Sequence, residues 1–353
     1  MRAEYIVGLL ILGLLGGGLV YVFTSPSSSK IADLMPSAMN PYKEIEGPAG
    51  FVNVDEITIG ELVGEKVILV DFMTYSCINC QRTFPYLNAW YAKYKDQGLE
   101  IVGIHTPEFA FERDIGNVRE AMEEFGIKHP VVLDNDYATW RAYDNSYWPR
   151  KYLIDINGNI VYDHIGEGAY EETEMKIQEL LAERARVLGA GEVEMSGDLA
   201  ASSVPEVKTT TRSPETYFGS LRNEYFANGA RGRVGEQTLT IPESVSGNAL
   251  YLGGVWDVKP EYAESVSDAS VVYRYSAKEV YIVAEGDSAV EVEVWQDGAL
   301  VGVSKGVDVN ESGVVRMQES KLYRLIKNAE PGEHTLELRV KGSGLRFYAF
   351  TFG

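Results

Sequence analysis

The sequence predicts an α/β domain followed by an all-β sandwich, with one transmembrane helix at the N-terminus. Three observations support this: an uncharged apolar segment opens the chain, strand-like and helix-like runs then alternate, and short β-rich runs follow. A length of 353 residues fits two folded domains. The net charge of −20 at pH 7 disfavours a nucleic-acid partner, because such a partner needs a basic protein face.

Residues 1–23 are interpreted as a membrane anchor. The segment from Tyr5 to Phe23 carries no charge over roughly 19 residues, about the length that spans a bilayer. A cleaved signal peptide is the alternative, but the TSPSSSK sequence that follows offers no A-x-A cleavage site. Arg2 favours an inside N-terminus. We therefore expect a single-pass membrane protein that is otherwise extracytoplasmic, with the Ser- and Pro-rich residues 24–48 as a tether.

Residues 49–190 show the alternation of an α/β domain. Asn157-Gly158, between two apolar runs, predicts a tight hairpin near its end. Strands are predicted at Val67–Phe72, Glu100–His105, Val131–Leu133, Lys151–Ile156 and Ile160–His164, and helices from Cys80, from Asp114, at Ala138–Tyr143 and from Tyr170 to about Leu188.

The motif Cys77-Ile78-Asn79-Cys80 contains both cysteines of the chain and lies where the first strand should turn into a helix. A helix N-terminus stabilises a thiolate, which makes the first cysteine nucleophilic near neutral pH. Two intervening residues allow the second cysteine to attack a mixed disulfide without a large movement. The motif therefore predicts a redox-active dithiol that cycles through a Cys77–Cys80 disulfide.

Other interpretations of this motif have weaker support. Covalent haem attachment needs a histidine after Cys80, where Gln81 stands. A structural disulfide over so short a loop stabilises little. A peroxiredoxin is partly matched by Thr74-x-x-Cys77, but Val70 occupies the position of its proline. Zinc needs further ligands, and the histidines are scattered at His105, His129, His164 and His334. No metal and no cofactor are predicted.

Two further residues are candidates for the chemistry. Asp71 lies in the middle of the apolar strand, where desolvation raises the pKa of a carboxyl group and suits it to accept the proton of the Cys80 thiol. An exposed aspartate at the strand end is the alternative. Pro149 follows Trp148 just before the strand KYLIDI, and a cis peptide there would set a backbone edge opposite the cysteines. An ordinary trans turn is the alternative, because cis is the minority form of an X-Pro bond.

The segment 51–190 resembles the thioredoxin superfamily, within it the TlpA-like branch and most closely the DipZ-type proteins. The resemblance rests on VDFMTYSCINCQRTFPYLNAWY, GIHTPEFAFE, LDNDYATWRAYDNSYWPRKYLID and GEGAYEETE. It implies a thiol-disulfide oxidoreductase with these roles: Cys77 attacking, Cys80 resolving, Asp71 as buried acid, Pro149 as cis-proline and Pro85 as the helix-kink proline.

The residues that flank the cysteines depart from thioredoxin itself. Ser76 replaces a tryptophan, and Ile78-Asn79 replaces Gly-Pro, so the redox potential of thioredoxin does not carry over. Ser76, Ile78 and Asn79, together with Trp148, are the candidate substrate-binding residues. GIHTPEFAFE, with His105 and Glu108, is expected to shape access to them.

The family resemblance also implies partners. Its members often carry a multi-helix electron-transporting membrane domain, whereas this chain has one apolar span. We therefore expect extracytoplasmic protein disulfides as substrates and a separate membrane electron-transfer partner of the CcdA/DsbD type. Reduction is the expected direction. A cell-surface binding or scaffold protein with a non-catalytic thioredoxin-like part is the alternative, and the presence of Cys77, Cys80, Asp71 and Pro149 together disfavours it.

Residues 191–212 lose periodicity and are interpreted as a linker, followed by a jelly-roll-like β-sandwich at 213–353. Turns are predicted at Asp297-Gly298 and Pro331-Gly332. The sequences SPETYFG, LYLGGVW and GLRFYAFTFG resemble the β-sandwich appended to DipZ-type proteins, which is similar to a carbohydrate-binding module. A glycan is thus a possible partner, with core packing as the alternative role of its candidate aromatic residues Trp256, Tyr262, Trp295 and Tyr251. A docking or substrate-presenting role is the favoured alternative for the region as a whole.

Overall fold

A computed structural model describes residues 40–190, 199–205 and 212–353. Residues Asn40–Gly353 form one compact unit. The predicted anchor at 1–23, most of the tether at 24–48 and most of the linker at 191–212 lie outside the described residues. Within the described ranges, no helix combines the length and the apolar character that a membrane crossing needs. The predicted domain boundaries stay predictions.

The α/β part is built on a six-stranded sheet in the order β1-β4-β3-β2-β5-β6. Strand β2 is central: it runs parallel to β3, which runs parallel to β4, and antiparallel to β5. Strands β1 and β6 close the two edges in antiparallel fashion. The bounds are β1 Gly50–Val52, β2 Val67–Met73, β3 Leu99–His105, β4 Val131–Leu133, β5 Arg150–Ile154 and β6 Ile160–Ile165.

Helices pack on this sheet in the order that the sequence predicts. The helix of the cysteine motif begins at Ile78, two residues before the predicted start, because Cys77 serves as its N-cap. Pro85 lies inside this helix, where it removes one backbone N–H donor. The helices are α1 Ile59–Leu62, α2 Ile78–Tyr94, α3 Ile115–Glu124, α4 Ala138–Ala142 and α5 Tyr170–Leu188, with a short 3-10 helix at Ala110–Arg113.

The sheet has two buried faces. Along β2, Ile68, Val70 and Phe72 belong to one apolar cluster, and the alternate residues Val67 and Leu69 belong to the other, with Cys80 of α2. Side chains on a strand alternate between faces, so this pattern fixes which face each residue of β2 meets.

The residues from 212 onward are all β. Their strands form one hydrogen-bonded network in the order β13-β12-β15-β11-β16-β10-β9-β8, with β14 on β12, β7 on β16 and a further pairing of β11 with β9. The bounds are β7 Thr216–Tyr217, β8 Gly235–Leu239, β9 Leu250–Val258, β10 Ala263–Ser265, β11 Ala269–Gly286, β12 Val290–Gln296, β13 Ala299–Leu300, β14 Val314–Met317, β15 Lys321–Lys341 and β16 Leu345–Phe352.

One turn prediction in this region is confirmed and the other is wrong. Asp297-Gly298 joins β12 to β13, with both residues at positive φ. Pro331-Gly332, in contrast, lies inside the single long strand β15. The pairing of β15 with β11 shifts there, from Ala277 opposite Gly332 to Glu279 opposite Lys327, so the extra residues bulge out of the ladder. A Pro-Gly pair signals a bulge as well as a turn, and the local sequence does not distinguish the two.

The all-β region packs directly against the α/β part. Its residues join Ile78 and Phe109 in one buried cluster, whose other members are Tyr281, Val283, Leu322, Tyr348 and Ala349. Polar contacts surround this cluster: the Tyr75 hydroxyl donates to the Ser320 carbonyl at 3.0 Å, and Arg324 donates to the Gln81 side chain at 2.9 Å. The turn that carries the cysteines is therefore held from both regions.

Candidate functional site

Cys77 lies at the point where β2 leads into α2. It is the N-cap residue of α2, with φ −78° and ψ 119°, and it is half-buried. Its backbone N–H donates to the Thr74 carbonyl at 3.4 Å, and its carbonyl accepts from the Gln81 N–H at 3.0 Å. The position places the Cys77 sulfur at the N-terminus of α2.

Cys80 is buried one helical turn further along α2, and both cysteines are free thiols. Burial raises the pKa of the Cys80 thiol well above its usual range, and the hydrogen bond and charge of Cys77 raise it further. A thiol in this state needs a base before it can act as a nucleophile. The two cysteines thus differ as an attacking and a resolving thiol must differ.

Asp71 places a buried carboxyl group on the face of the sheet that Cys80 meets. It lies on the same face of β2 as Val67, Leu69 and Met73, because these residues are spaced two apart along the strand. Asp71 therefore faces the apolar cluster that contains Cys80. The side chain is fully buried, and neither carboxylate oxygen has a hydrogen-bond partner among the described residues. Burial raises the pKa of Asp71 to about 7, against the opposing effect of the Lys151 cation. The Asp71 charge also acts on Cys80.

Lys151 is a site residue that the sequence interpretation missed. It lies directly opposite Asp71 in the β2–β5 ladder and is fully buried. Its ammonium donates to the Gly166 carbonyl at 3.3 Å. Burial lowers the pKa of Lys151, while the charges of Asp71 and Cys80 act to raise it. The sequence held one signal for its burial: Lys151 is two residues before Leu153, and residues two apart on a strand share a face, here the buried one.

Glu112 is a second buried carboxyl group that the sequence interpretation missed. Its Oε1 accepts from the Ser76 hydroxyl at 2.6 Å and from the Ser76 N–H at 3.3 Å, and its Oε2 accepts from the Glu108 and Phe109 N–H groups. Burial raises the pKa of Glu112 to about 7, while hydrogen bonds from Ser76 and Thr74 lower it. Glu112 therefore ties the turn before Cys77 to the loop after β3.

The loop before β5 faces the cysteine motif. The Trp148–Pro149 peptide is cis, and Pro149 is buried with its carbonyl accepting from the Gly166 N–H at 2.8 Å. The Trp148 indole donates to the Thr106 carbonyl at 3.0 Å, and its ring lies 4.4 Å from that of Trp140. These contacts fix the orientation of Trp148.

A cavity of 440 Å³ opens in front of Cys77. Ile78, Asn79 and Trp148 line it together with Cys77, whereas Ser76 is buried and bonded to Glu112 away from the cavity. Cys80 and Asp71 are buried and do not line it. The remaining lining residues are Arg82, Glu108, Ser146, Tyr147 and Glu167 of the α/β part and Ser213, Glu215, Tyr217, Arg222, Thr351 and Phe352 of the all-β region. The roles assigned to these residues stay predictions.

Two of the four aromatic residues considered for a glycan platform are buried in the all-β region. Trp256 is fully buried, packs on Phe347 and donates its indole N–H to the Gly253 carbonyl. Tyr251 is also buried. Both rings belong to the core, which corrects their expected place on a binding surface. The sequence pattern does not distinguish a core from a binding platform, because both place aromatic residues at alternate positions of a strand.

Two family models match this chain. Residues 51–181 match the family described as Redoxin, and residues 213–353 match the family described as Thioredoxin like C-terminal domain. The first match covers the sheet that carries the cysteine motif, and the second covers the all-β region.

Individual relatives agree with these matches. Protein DipZ of Mycobacterium tuberculosis is 35% identical over 314 residues, which are 88% of this chain and 42% of that protein. This chain thus spans less than half the length of that relative. Thiol-disulfide oxidoreductase YkuV of Bacillus subtilis is 32% identical over 143 residues, which are 40% of this chain and 95% of that protein. Among solved structures, a thioredoxin-like protein in the oxidized form is 31% identical, covers 41% of this chain and 97% of its own, and has a TM-score of 0.39.

Proposed function

This chain belongs to the thioredoxin-like thiol-disulfide oxidoreductases, and from that premise we propose that it reduces extracytoplasmic protein disulfides through Cys77 and Cys80. The observation that carries the proposal is the unequal placement of the two thiols. Cys77 caps a helix and faces a cavity, whereas Cys80 is buried among residues that include the base candidate Asp71. This arrangement suits a two-step exchange.

In the first step the Cys77 thiolate attacks one sulfur of a substrate disulfide. A bond forms between Cys77 and that sulfur, the substrate S–S bond breaks, and the other substrate sulfur leaves as a thiolate. In the second step Asp71 takes the proton of Cys80, and the resulting thiolate attacks Cys77. The substrate then leaves as a dithiol and Cys77–Cys80 becomes a disulfide, so two electrons pass from enzyme to substrate.

The membrane location and the electron supply are part of the same proposal. Residues 1–23 act as a single membrane-spanning anchor, and the catalytic part lies outside the cytoplasm. Support comes from the uncharged apolar segment between Tyr5 and Phe23. Each cycle leaves the enzyme oxidised, so a dithiol donor must reduce it again. We assign this task to a separate membrane protein of the CcdA/DsbD type.

The all-β region is part of the same proposal. The jelly-roll-like sandwich remains our interpretation of its strand network. A glycan site there would have to rely on Tyr262 and Trp295, which are partly exposed, because Trp256 and Tyr251 are buried.

The test is a redox titration of the full chain in detergent, with the thiols followed by their alkylation mass shift. We expect a reversible two-electron couple near −270 mV, about the value of a reducing thioredoxin. A couple near −120 mV would reverse the proposed direction, since proteins at about that potential donate disulfides. In a parallel insulin-reduction assay Cys77→Ser should abolish activity, and Cys80→Ser should accumulate mixed disulfides. Full activity of Cys77→Ser would refute the mechanism.

A further inference from the structure

The cavity in front of Cys77 has walls from both regions of the protein. On one side stand Asn79, Trp148 and their neighbours in the α/β part. On the other side stand residues of the all-β region, among them Tyr217, Arg222 and Phe352. A disulfide that reaches the Cys77 sulfur through this cavity therefore lies against the all-β region as well as against the cysteine motif.

Tyr217 and Arg222 contact the same carboxylate of the α/β part. Arg222 Nη1 donates to Glu108 Oε1 at 2.8 Å. The Tyr217 hydroxyl shares its one proton between Glu108 Oε1 at 2.9 Å and Glu215 Oε2 of its own region at 2.6 Å. The Arg222 guanidinium also lies 3.7 Å from the centre of the Tyr217 ring. Two side chains fixed in this way form a pre-organised surface, which reduces the entropy that binding would otherwise cost.

The exposed parts of these side chains have the chemistry of peptide recognition. The Arg222 side chain is 41% exposed, and among the described residues only its Nη1 is hydrogen-bonded. A guanidinium carries five N–H donors, so several remain for a carbonyl oxygen. Tyr217, whose ring is covered on one face by Arg222, and Tyr147, which is 51% exposed, add aromatic surface to the cavity lining. A volume of 440 Å³ lies in the usual range of ligand clefts.

We propose that Tyr217 and Arg222 are specificity-determining residues that bind the polypeptide flank of the substrate disulfide. Arg222 donates to a backbone carbonyl of an extended substrate segment, and Tyr217 packs its ring against the adjacent side chain. The inference rests on the proposed function, because it names the substrate class of that same site: a disulfide carried on an extended polypeptide. A disulfide without such a flank gains nothing from these two residues.

The test compares two substrates in single-turnover reactions of the pre-reduced full chain. One is insulin, and the other is bis(2-hydroxyethyl) disulfide, which has no polypeptide flank. For Arg222→Ala and for Tyr217→Leu, we expect the ratio of the insulin rate to the small-disulfide rate to fall about 5- to 10-fold. Arg274→Ala is the matched control, since Arg274 is an exposed arginine of the same region that pairs with Glu333 outside the cavity.

Each outcome of this comparison has a defined meaning. An unchanged ratio overturns the inference while the proposed function stands. An equal loss with both substrates also overturns it, because the variants would then act on the cysteines and not on the flank. If the wild-type protein reduces neither substrate, the proposed function fails and the inference fails with it.

A second measurement does not depend on the stability of these variants. The Cys80→Ser protein is trapped as a mixed disulfide with a cysteine-containing peptide, and amide hydrogen exchange is compared with that of the protein trapped with 2-mercaptoethanol. We expect the peptide to slow exchange in residues 215–222. Equal exchange in the two adducts would contradict contact between the all-β region and the substrate.

Discussion

At the scale of single residues, the proposed chemistry depends on a buried pair beside Cys80, the proposed resolving thiol. Asp71 and Lys151 lie opposite each other on neighbouring strands. Burial raises the pKa of Asp71 and lowers the pKa of Lys151, so it favours the neutral form of both groups. Each charge also acts on the other in the opposite sense. The pKa of Asp71 therefore depends on Lys151, and so does the pH at which Asp71 can accept a proton.

Replacement of Lys151 tests this dependence. The resolving step requires ionised Asp71, so its rate should rise with pH through about 7 in the wild-type protein. Lys151→Met removes a cation that lowers the pKa of Asp71, so the inflection should move to higher pH. The measurement is the pH profile of substrate release from the mixed disulfide in single-turnover experiments.

Two further variants control this experiment. Asp71→Asn should remove the inflection and slow the resolving step by about 100-fold or more, the usual contribution of a general base. Lys176→Met removes a partly exposed lysine that pairs with Glu179 on α5, and it should leave the profile unchanged. A Lys151→Met profile that matches the wild type would show that Lys151 does not control Asp71.

The sequence allowed only half of this pair to be predicted. Asp71 was predicted because it is the only charged residue in the otherwise apolar strand sequence VILVDFM. Lys151 did not, because it follows Arg150 at the start of its strand, where exposed basic residues are common. Its burial follows from the register of β5 against β2, and a single sequence does not specify that register across nearly eighty residues.

At the scale of elements, the loop after β3 connects the cysteine turn to the all-β region. The segment GIHTPEFAFE was expected to shape substrate access, and Glu108 does line the cavity. Glu112, four residues further, accepts hydrogen bonds from the Ser76 backbone N–H and hydroxyl. Its role was not predictable from spacing, because it depends on how the 3-10 helix Ala110–Arg113 folds back toward Ser76.

Glu112→Gln should lower the free energy of unfolding at pH 5 by about 1–3 kcal/mol. At pH 5 Glu112 is a neutral carboxyl group, and both of its oxygens can still accept hydrogen bonds from the donors around them. The NH2 group of a glutamine cannot accept, so it would stand against one set of these donors. The difference in the free energy of unfolding between the wild type and Glu112→Gln should become smaller toward pH 8. The pKa of Glu112 is raised to about 7 in the fold from 4.5, so its contribution to wild-type stability is fully present below 4.5 and is lost as pH rises through 7.

Urea unfolding at pH 5 and pH 8 measures both effects. The control is Glu120→Gln, which changes an exposed glutamate on the neighbouring helix α3. A deficit that stays equal at the two pH values, or that matches the control, would show that the Glu112 carboxyl group does not titrate as its burial indicates.

At the scale of the whole molecule, the two regions share a buried cluster beside the cysteine motif. Ile78 of that motif packs with Leu322 of β15, and the Tyr75 hydroxyl bonds to the Ser320 carbonyl, 245 residues away in the chain. Sequence patterns predicted both regions, but they could not predict this docking. The apolar residues at this contact fit the strand or helix periodicity of their own region, so the pattern does not show that they pack against the other region.

Leu322→Ala should loosen the docking more than it weakens either region. Loss of a buried leucine costs about 2–5 kcal/mol, and here the lost contacts are partly those between the regions. Cys77, half-buried in the docked protein, should then react faster with an alkylating reagent. Leu338→Ala, which empties a site in the core of the all-β region, should destabilise without this change in reactivity. Equal Cys77 reactivity in the two variants would contradict the proposed link.

The shared oxygen of Glu108 has a consequence for protein engineering. Because one carboxylate oxygen contacts both Tyr217 and Arg222, the two regions are not interchangeable parts. A chimera that takes its cysteine-bearing region from a relative without an acidic residue at this position would leave the guanidinium of Arg222 and the phenol of Tyr217 without their common anchor. Grafting between family members therefore has to transfer Glu108 and the two residues it holds as a unit.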